Sequence, residues 1–192
     1  MKRLDGFRVL VLATDGVEEA ELTRPVQALD KAGATVDIAS PKGKPIQAFQ
    51  HHEKSHIIPA TRSFEGINAG DYDGLLLPGG ALNADEIRTN PTVCETIRDM
   101  DAAGKPIAAI CHAPWELISA GVVTGRRLTS FHTIQDDVRN AGGSWTDAEV
   151  VEDDNWVTSR KPDDIPAFNE HVIALFDRAA RTANAEVGST DR

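Results

Sequence analysis

Four apolar residues, Ile107, Ala108, Ala109 and Ile110, run without a break into Cys111-His112-Ala113-Pro114. A short continuous apolar run entered through Gly-Lys-Pro reads as a strand buried on both faces. Helix-like sequence follows over residues 114–120. Cys111 therefore stands where a strand turns sharply into a helix. A side chain on such a turn must bear a strained backbone, and the residues two away must be small. Here they are Ala109 and Ala113. The helix that follows aims its N-terminal amides and positive dipole end at the sulfur, which favours a thiolate. A buried, inert cysteine also fits these residues.

The same alternation recurs along the chain. Residues 7–13 are apolar and β-branched, Thr14-Asp15-Gly16 forms a turn, and a helical pattern then runs to Ala32 and stops at Gly33. Pro25 is expected to break or kink that helix. Strands are expected at residues 35–40, 74–77, 107–110, 128–131, 145–151 and 156–159. The last two are joined as a hairpin. Helices are expected over 91–103, 134–141 and from 162 to about 181, with Phe168, Val172, Leu175 and Phe176 on one face. Residues 85–88 read as a short polar segment. Strands alternating with helices give a mostly parallel sheet covered on both faces, an α/β sandwich. With no repeat and no linker, residues 1–192 read as a single domain, with a polar, frayed tail from about residue 183.

The net charge of −10 argues against a general nucleic-acid binder or a protein of anionic membranes. Two cysteines, Cys94 and Cys111, make no disulfide framework and fit a reducing compartment. The apolar segment near the N-terminus is too short for a signal peptide or a membrane span, so a cytoplasmic protein is expected.

Ligands of such sheets bind beyond the carboxyl ends of the strands. Three marked segments fall there: residues 15–21 with Glu18, Glu19 and Glu21, the pair Gly79 and Gly80 after Pro78, and Cys111. Paired glycines bring backbone N–H groups close to a ligand, as an oxyanion site needs, although a tight turn also explains them. Glu18, Glu19 and Glu21 also complement the dipole of the helix they open. His51, His52, Glu53 and His56 are metal-ligand types, but no second cluster completes a site, and a polar loop or hairpin is expected there. No phosphate-loop pattern is present and no cofactor or metal is expected.

Taken together, the stretches Asp15-Gly-Val-Glu-Glu-Ala-Glu-Leu22, Tyr72-Asp-Gly-Leu-Leu-Leu-Pro-Gly-Gly80 and Gly104-Lys-Pro-Ile-Ala-Ala-Ile-Cys-His-Ala-Pro114 resemble the PfpI intracellular proteases. That family is a branch of the class I glutamine amidotransferase-like superfamily that includes stress proteins and deglycases. The resemblance extends over residues 8–176. It implies a flavodoxin-like three-layer sandwich with Cys111 on its elbow. It implies a glutamate against the sulfur, matched by Glu21, and an oxyanion site from the amides of Gly79, Gly80 and the residue after the cysteine. It also implies a histidine beside the nucleophile, matched by His112, paired with an acidic residue of an adjacent subunit, matched by Asp85. The family's usual Cys-His-Gly-Pro reads Cys111-His112-Ala113-Pro114 here, and Trp115 replaces a common polar residue and narrows the pocket.

The resemblance thus implies a stress-response cysteine hydrolase: a peptidase, a glutathione-independent glyoxalase or a protein deglycase. Its substrate would be a peptide, a glycated protein or a small electrophilic carbonyl, and the chain would assemble as a homodimer or hexamer without nucleic acid or membrane. The competing expectation is a non-enzymatic redox-sensing or chaperone-like stress protein with an oxidisable Cys111. Because His112 adjoins Cys111, the two side chains are expected to diverge, which leaves much of the activation to the helix dipole.

Overall fold

A computed structural model describes residues 2–190, with side chains described through residue 183. The elements, in order, are β1 (Arg8–Leu12), α1 (Glu19–Ala32), β2 (Thr35–Ser40), β3 (Ile46–Gln50), β4 (Glu53–Ile58), β5 (Arg62–Ser63), β6 (Gly74–Leu77), α2 (Ala81–Ile87) and α3 (Pro91–Ala102). Then come β7 (Ile107–Ile110), α4 (Pro114–Ala120), β8 (Arg127–Leu128), α5 (Gln135–Asn140), β9 (Ser144–Trp145), β10 (Val150–Asp153), β11 (Trp156–Ser159) and α6 (Ile165–Thr190).

Seven strands form the central sheet in the order β10-β11-β7-β6-β1-β2-β5. All neighbours are parallel except the hairpin of β10 and β11. Successive side chains of a strand point to opposite faces. Val9 and Val11 accordingly join Leu22, Phe168 and Phe176 in one apolar layer, while Leu10 and Leu12 join Ile97, Met100 and Leu117 in the other. The expected three-layer sandwich is the observed one. Strands β6 and β7 lie side by side at the middle of the sheet, so Gly79 and Cys111 emerge together at its carboxyl edge.

Several expectations need correction. Helix α1 continues through Pro25 without a break. The lost N–H is tolerated because the ring is buried in a helix held by apolar packing along its length. Residues 85–88, expected to be a short polar segment, fall at the end of helix α2 (Ala81–Ile87) and its C-cap Arg88, a helix capped at its start by Gly80. The strand expected at 128–131 shrinks to β8, which pairs with β9 outside the main sheet. Trp145 thus belongs to that small ribbon, not to the β10–β11 hairpin. Helix α6 extends to Thr190, well past residue 181. Of the expected tail, residues 191 and 192 lie outside the described residues.

The histidine-bearing stretch forms the β3–β4 hairpin. It clamps the segment that leads to Glu21. The Phe49 amide donates to the Val17 carbonyl at 2.8 Å, the His51 amide to Glu18 at 2.9 Å, and His56 pairs with Glu19 at 3.0 Å.

One junction fixes β11, the strand beside β7. Asp101, on α3, accepts from the Trp156 indole N–H at 2.7 Å and from Asn155 at 3.1 Å. Trp156 is 1% exposed, so its N–H has no water to fall back on. Asp101→Ala is expected to cost about 1–3 kcal/mol in urea unfolding, against less than about 0.5 kcal/mol for the exposed Asp99→Ala.

Candidate active site

The site is built where β6, β7 and the start of α1 meet. Cys111 has φ 64°, a left-handed backbone that costs a residue with a Cβ about 1–2 kcal/mol. The chain holds it there with ladder-type bonds on both sides. Its amide donates to the Ser159 carbonyl at 3.0 Å and its carbonyl accepts from the Phe131 amide at 2.8 Å. The strained turn expected of an elbow is present, and Cys111 is 7% exposed.

Glu21 lies in the first turn of α1 and is fully buried. Its Oε2 accepts from the Gly79 amide at 3.1 Å. Its Oε1 has no hydrogen-bond partner among the described residues. The Cys111 thiol lies near enough to this carboxyl to bear on its titration. A Cβ on Gly79 would strike Glu21 Oε2, approach Cys111 Cβ to 2.6 Å and the Ile110 carbonyl oxygen to 2.7 Å. Glycine is required at this position by the close approach of three chain segments, not by a turn. Gly80, at φ 89°, then opens α2, and its amide and that of His112 lie near enough to the sulfur to oppose the upward push on the thiol.

The electrostatics follow from burial. Desolvation, with the charge of Glu18 adding, pushes Glu21 up to about 8. Burial also pushes the Cys111 thiol upward, and an ionised Glu21 would push it further, while the Gly80 and His112 amides pull it down. Two adjoining buried acids do not both ionise near neutral pH. A protonated Glu21 removes the repulsion and turns its O–H toward the sulfur as a donor. The upward push of burial on the thiol departs from the expectation that the dipole of α4 favours a thiolate.

His112 differs more. Its Nδ1 lies 3.2 Å from Cys111 Sγ, so the two side chains converge. The expectation of divergence assumed helical backbone at both residues, and Cys111 is left-handed instead. Burial, then the charge of neighbouring His132, lowers the His112 pKa, so the ring rests neutral and is able to accept a proton. Its Nε2 faces the Thr133 hydroxyl at 3.5 Å. Phe131 stacks on the ring with centroids 4.8 Å apart, and Trp115 meets it edge-on at 5.3 Å.

The structure thus brings Cys111, His112, Glu21, Gly79 and Gly80 together. Asp85 is exposed on α2, and its side chain makes no hydrogen bond or ion pair to these or other described residues. Phe131 and Thr133 were not singled out from sequence, because the loop that carries them has no periodic pattern. Glu116 was also missed. It is completely buried, both carboxyl oxygens lack partners among the described residues, and burial raises its pKa strongly against the pull of Arg88. Helical spacing carried a signal for it: Ala113, Glu116, Leu117 and Ala120 recur at intervals of three and four, and all are buried.

With this geometry in place, relatives are informative. The sequence pattern of the DJ-1/PfpI family matches residues 7–175. The chain belongs to the DJ-1/PfpI family. A protein named a deglycase in Pyrococcus abyssi is 42% identical over 170 residues, which cover 88% of this chain and 99% of the relative. General stress protein 18 of Bacillus subtilis is 36% identical over 175 residues, 90% of this chain and 99% of that one. Among solved structures, Drosophila melanogaster DJ-1beta superposes with a TM-score of 0.80 at 27% identity, covering 92% of this chain and 97% of the other.

Two outcomes test the geometry. Gly79→Ala is expected to destabilise the fold by about 1–3 kcal/mol in denaturant unfolding and to separate Glu21 from Cys111. Glu21 holds its proton to a higher pH when folded than when unfolded. Between its ordinary 4.5 and about 8 the native state therefore binds more protons, and stability falls as pH rises. Glu21→Gln is expected to flatten that slope when unfolding free energy is measured across this pH window.

Proposed function

We propose that this chain is a cysteine-dependent deglycase that removes early adducts of α-oxoaldehydes from amines. The reading rests on one observation: Cys111, on its left-handed elbow, has its sulfur 3.2 Å from the His112 imidazole, and it closes on Gly79 together with the buried Glu21 carboxyl. Relatives named deglycases share the family and nearly the whole length.

The chemistry follows from those contacts. The thiol adds to the aldehyde carbon of the adduct as its proton passes to His112 Nδ1, and the amine departs with a proton. Glu21 donates to the sulfur, and the Gly80 and His112 amides face the oxygen on which charge develops. A proton shift between the two adjacent carbons of the bound fragment converts the hemithioacetal to a thioester. Water then cleaves the thioester and returns the thiol. For a methylglyoxal adduct the sum is adduct plus water giving free amine plus lactate, with no external oxidant or reductant.

Access supports a small electrophile over an extended peptide. Cys111 is 7% exposed, beneath half-buried Trp115 and His112. Asp85, exposed on α2, is then the acidic group that a neighbouring subunit presents to His112 in a homodimer or hexamer. Among the described residues no helix is long and apolar enough to cross a membrane, and we place the activity in the cytoplasm.

The test sets wild type beside Cys111→Ala on methylglyoxal-modified N-acetyl-lysine, on methylglyoxal and on a fluorogenic peptide. Release of lactate and amine by wild type, at least about a thousandfold above the variant, with an inert peptide, is the expected result. Equal turnover by the variant would sink the proposal. Asp85→Asn is expected to lower turnover only under conditions where size-exclusion chromatography shows an oligomer.

A further inference from the structure

His112 sits on the short link between β7 and α4, and its polar anchors are few. Besides the Cys111 sulfur, the only polar partner of its ring among the described residues is the Thr133 hydroxyl, at the long distance of 3.5 Å. The second side-chain torsion of histidine is broad and two-fold, so bonds this sparse do not set the ring. Packing has to do so. Phe131 covers one face, with planes 27° apart. Trp115 closes the slot from another side at 61°, the edge-to-face arrangement that aromatic pairs favour.

Trp115 is itself held from two directions. Its indole N–H donates to Asp137 Oδ2 of α5 at 2.7 Å, a charge-assisted bond. The Arg88 guanidinium, just past α2, lies 5.1 Å from its ring centroid and is steadied by a 2.9 Å bond to Ser119. The indole is thus pinned at its edge and over its ring, while the imidazole beside it has only the Cys111 sulfur and the more distant Thr133 hydroxyl as polar partners among the described residues. We propose that Trp115 is a positioning residue for His112, which keeps Nδ1 turned toward the Cys111 sulfur. The inference rests on the reading of Cys111 as the reactive group.

A double-mutant cycle tests it. Cys111 alkylation by iodoacetamide is followed across pH by peptide mass spectrometry in wild type, His112→Ala, Trp115→Ala and the double variant, with Cys94 as internal reference. The midpoint of the pH profile is compared instead of the bare rate, because a smaller side chain also widens access. His112→Ala is expected to move the midpoint by about one pH unit, a tenfold change in rate at pH values below it. Trp115→Ala is expected to produce the same shift, and the double variant no more than either single one. Asp137→Leu, which leaves the indole in place but unpinned, is expected to shift the midpoint part of the way, and it carries the test should Trp115→Ala fail to fold. Shifts that add in the double variant, or a Trp115→Ala profile equal to wild type, would overturn the positioning role while leaving Cys111 as the nucleophile. A Cys111 that alkylates no faster than Cys94, with a profile indifferent to His112→Ala, would overturn both readings.

Discussion

The amide of Gly79 reaches Oε2 of Glu21 across 3.1 Å, in a space that no Cβ could share. Much else depends on that approach. It draws the first turn of α1 against the end of β6. It leaves the rest of the Glu21 carboxyl to the thiol at the end of β7. It also sets the next amide, that of Gly80, toward the same sulfur at the start of α2. Burial does the remainder. In water, Glu21 would be an ordinary carboxylate. Walled in, it holds its proton to about 8 and becomes a donor.

The elbow adds a second constraint. Left-handed backbone at Cys111 is unfavourable by itself and persists because Ser159 and Phe131 bond it from both sides. That same conformation swings the cysteine side chain toward His112, which a regular helix start would not do. The helix-based expectation failed at His112 for this reason: the residue pair was adjacent in sequence, but its geometry was set by one unusual torsion.

Much of the sheet was legible because buried parallel strands are short, apolar and bounded by turn residues. Residues 74–77, 107–110 and 156–159 are plain instances, and their order with the helices follows from the alternation. Helix α2 was not legible. It is seven residues long, rich in polar groups, and begins at a glycine whose role as a cap depends on tertiary contacts. Strand β8 and the segment after it were misread because their pairing is with β9 outside the main sheet, which no local pattern specifies. At the site, residue types and turn chemistry pointed to Cys111, Gly79 and Gly80, and the family resemblance singled out Glu21. The ring slot of Phe131, Trp115 and Thr133 required three-dimensional knowledge of where one loop returns. Glu116 stood at a core position of a helix whose periodicity was too short to weigh.

The Glu21 to Gly79 bond spans 58 positions of sequence from α1 to the end of β6, and Cys111 enters from the end of the neighbouring β7. Parallel neighbours of this kind cannot zip from a local turn, and their loop-closure entropy is met late in folding. The sulfur consequently acquires its carboxyl and amide neighbours only when the central sheet is whole. A nascent, damaged or partly unfolded copy exposes an ordinary thiol among ordinary side chains. The surroundings of Cys111 are thus a product of the completed fold and of no single segment of it.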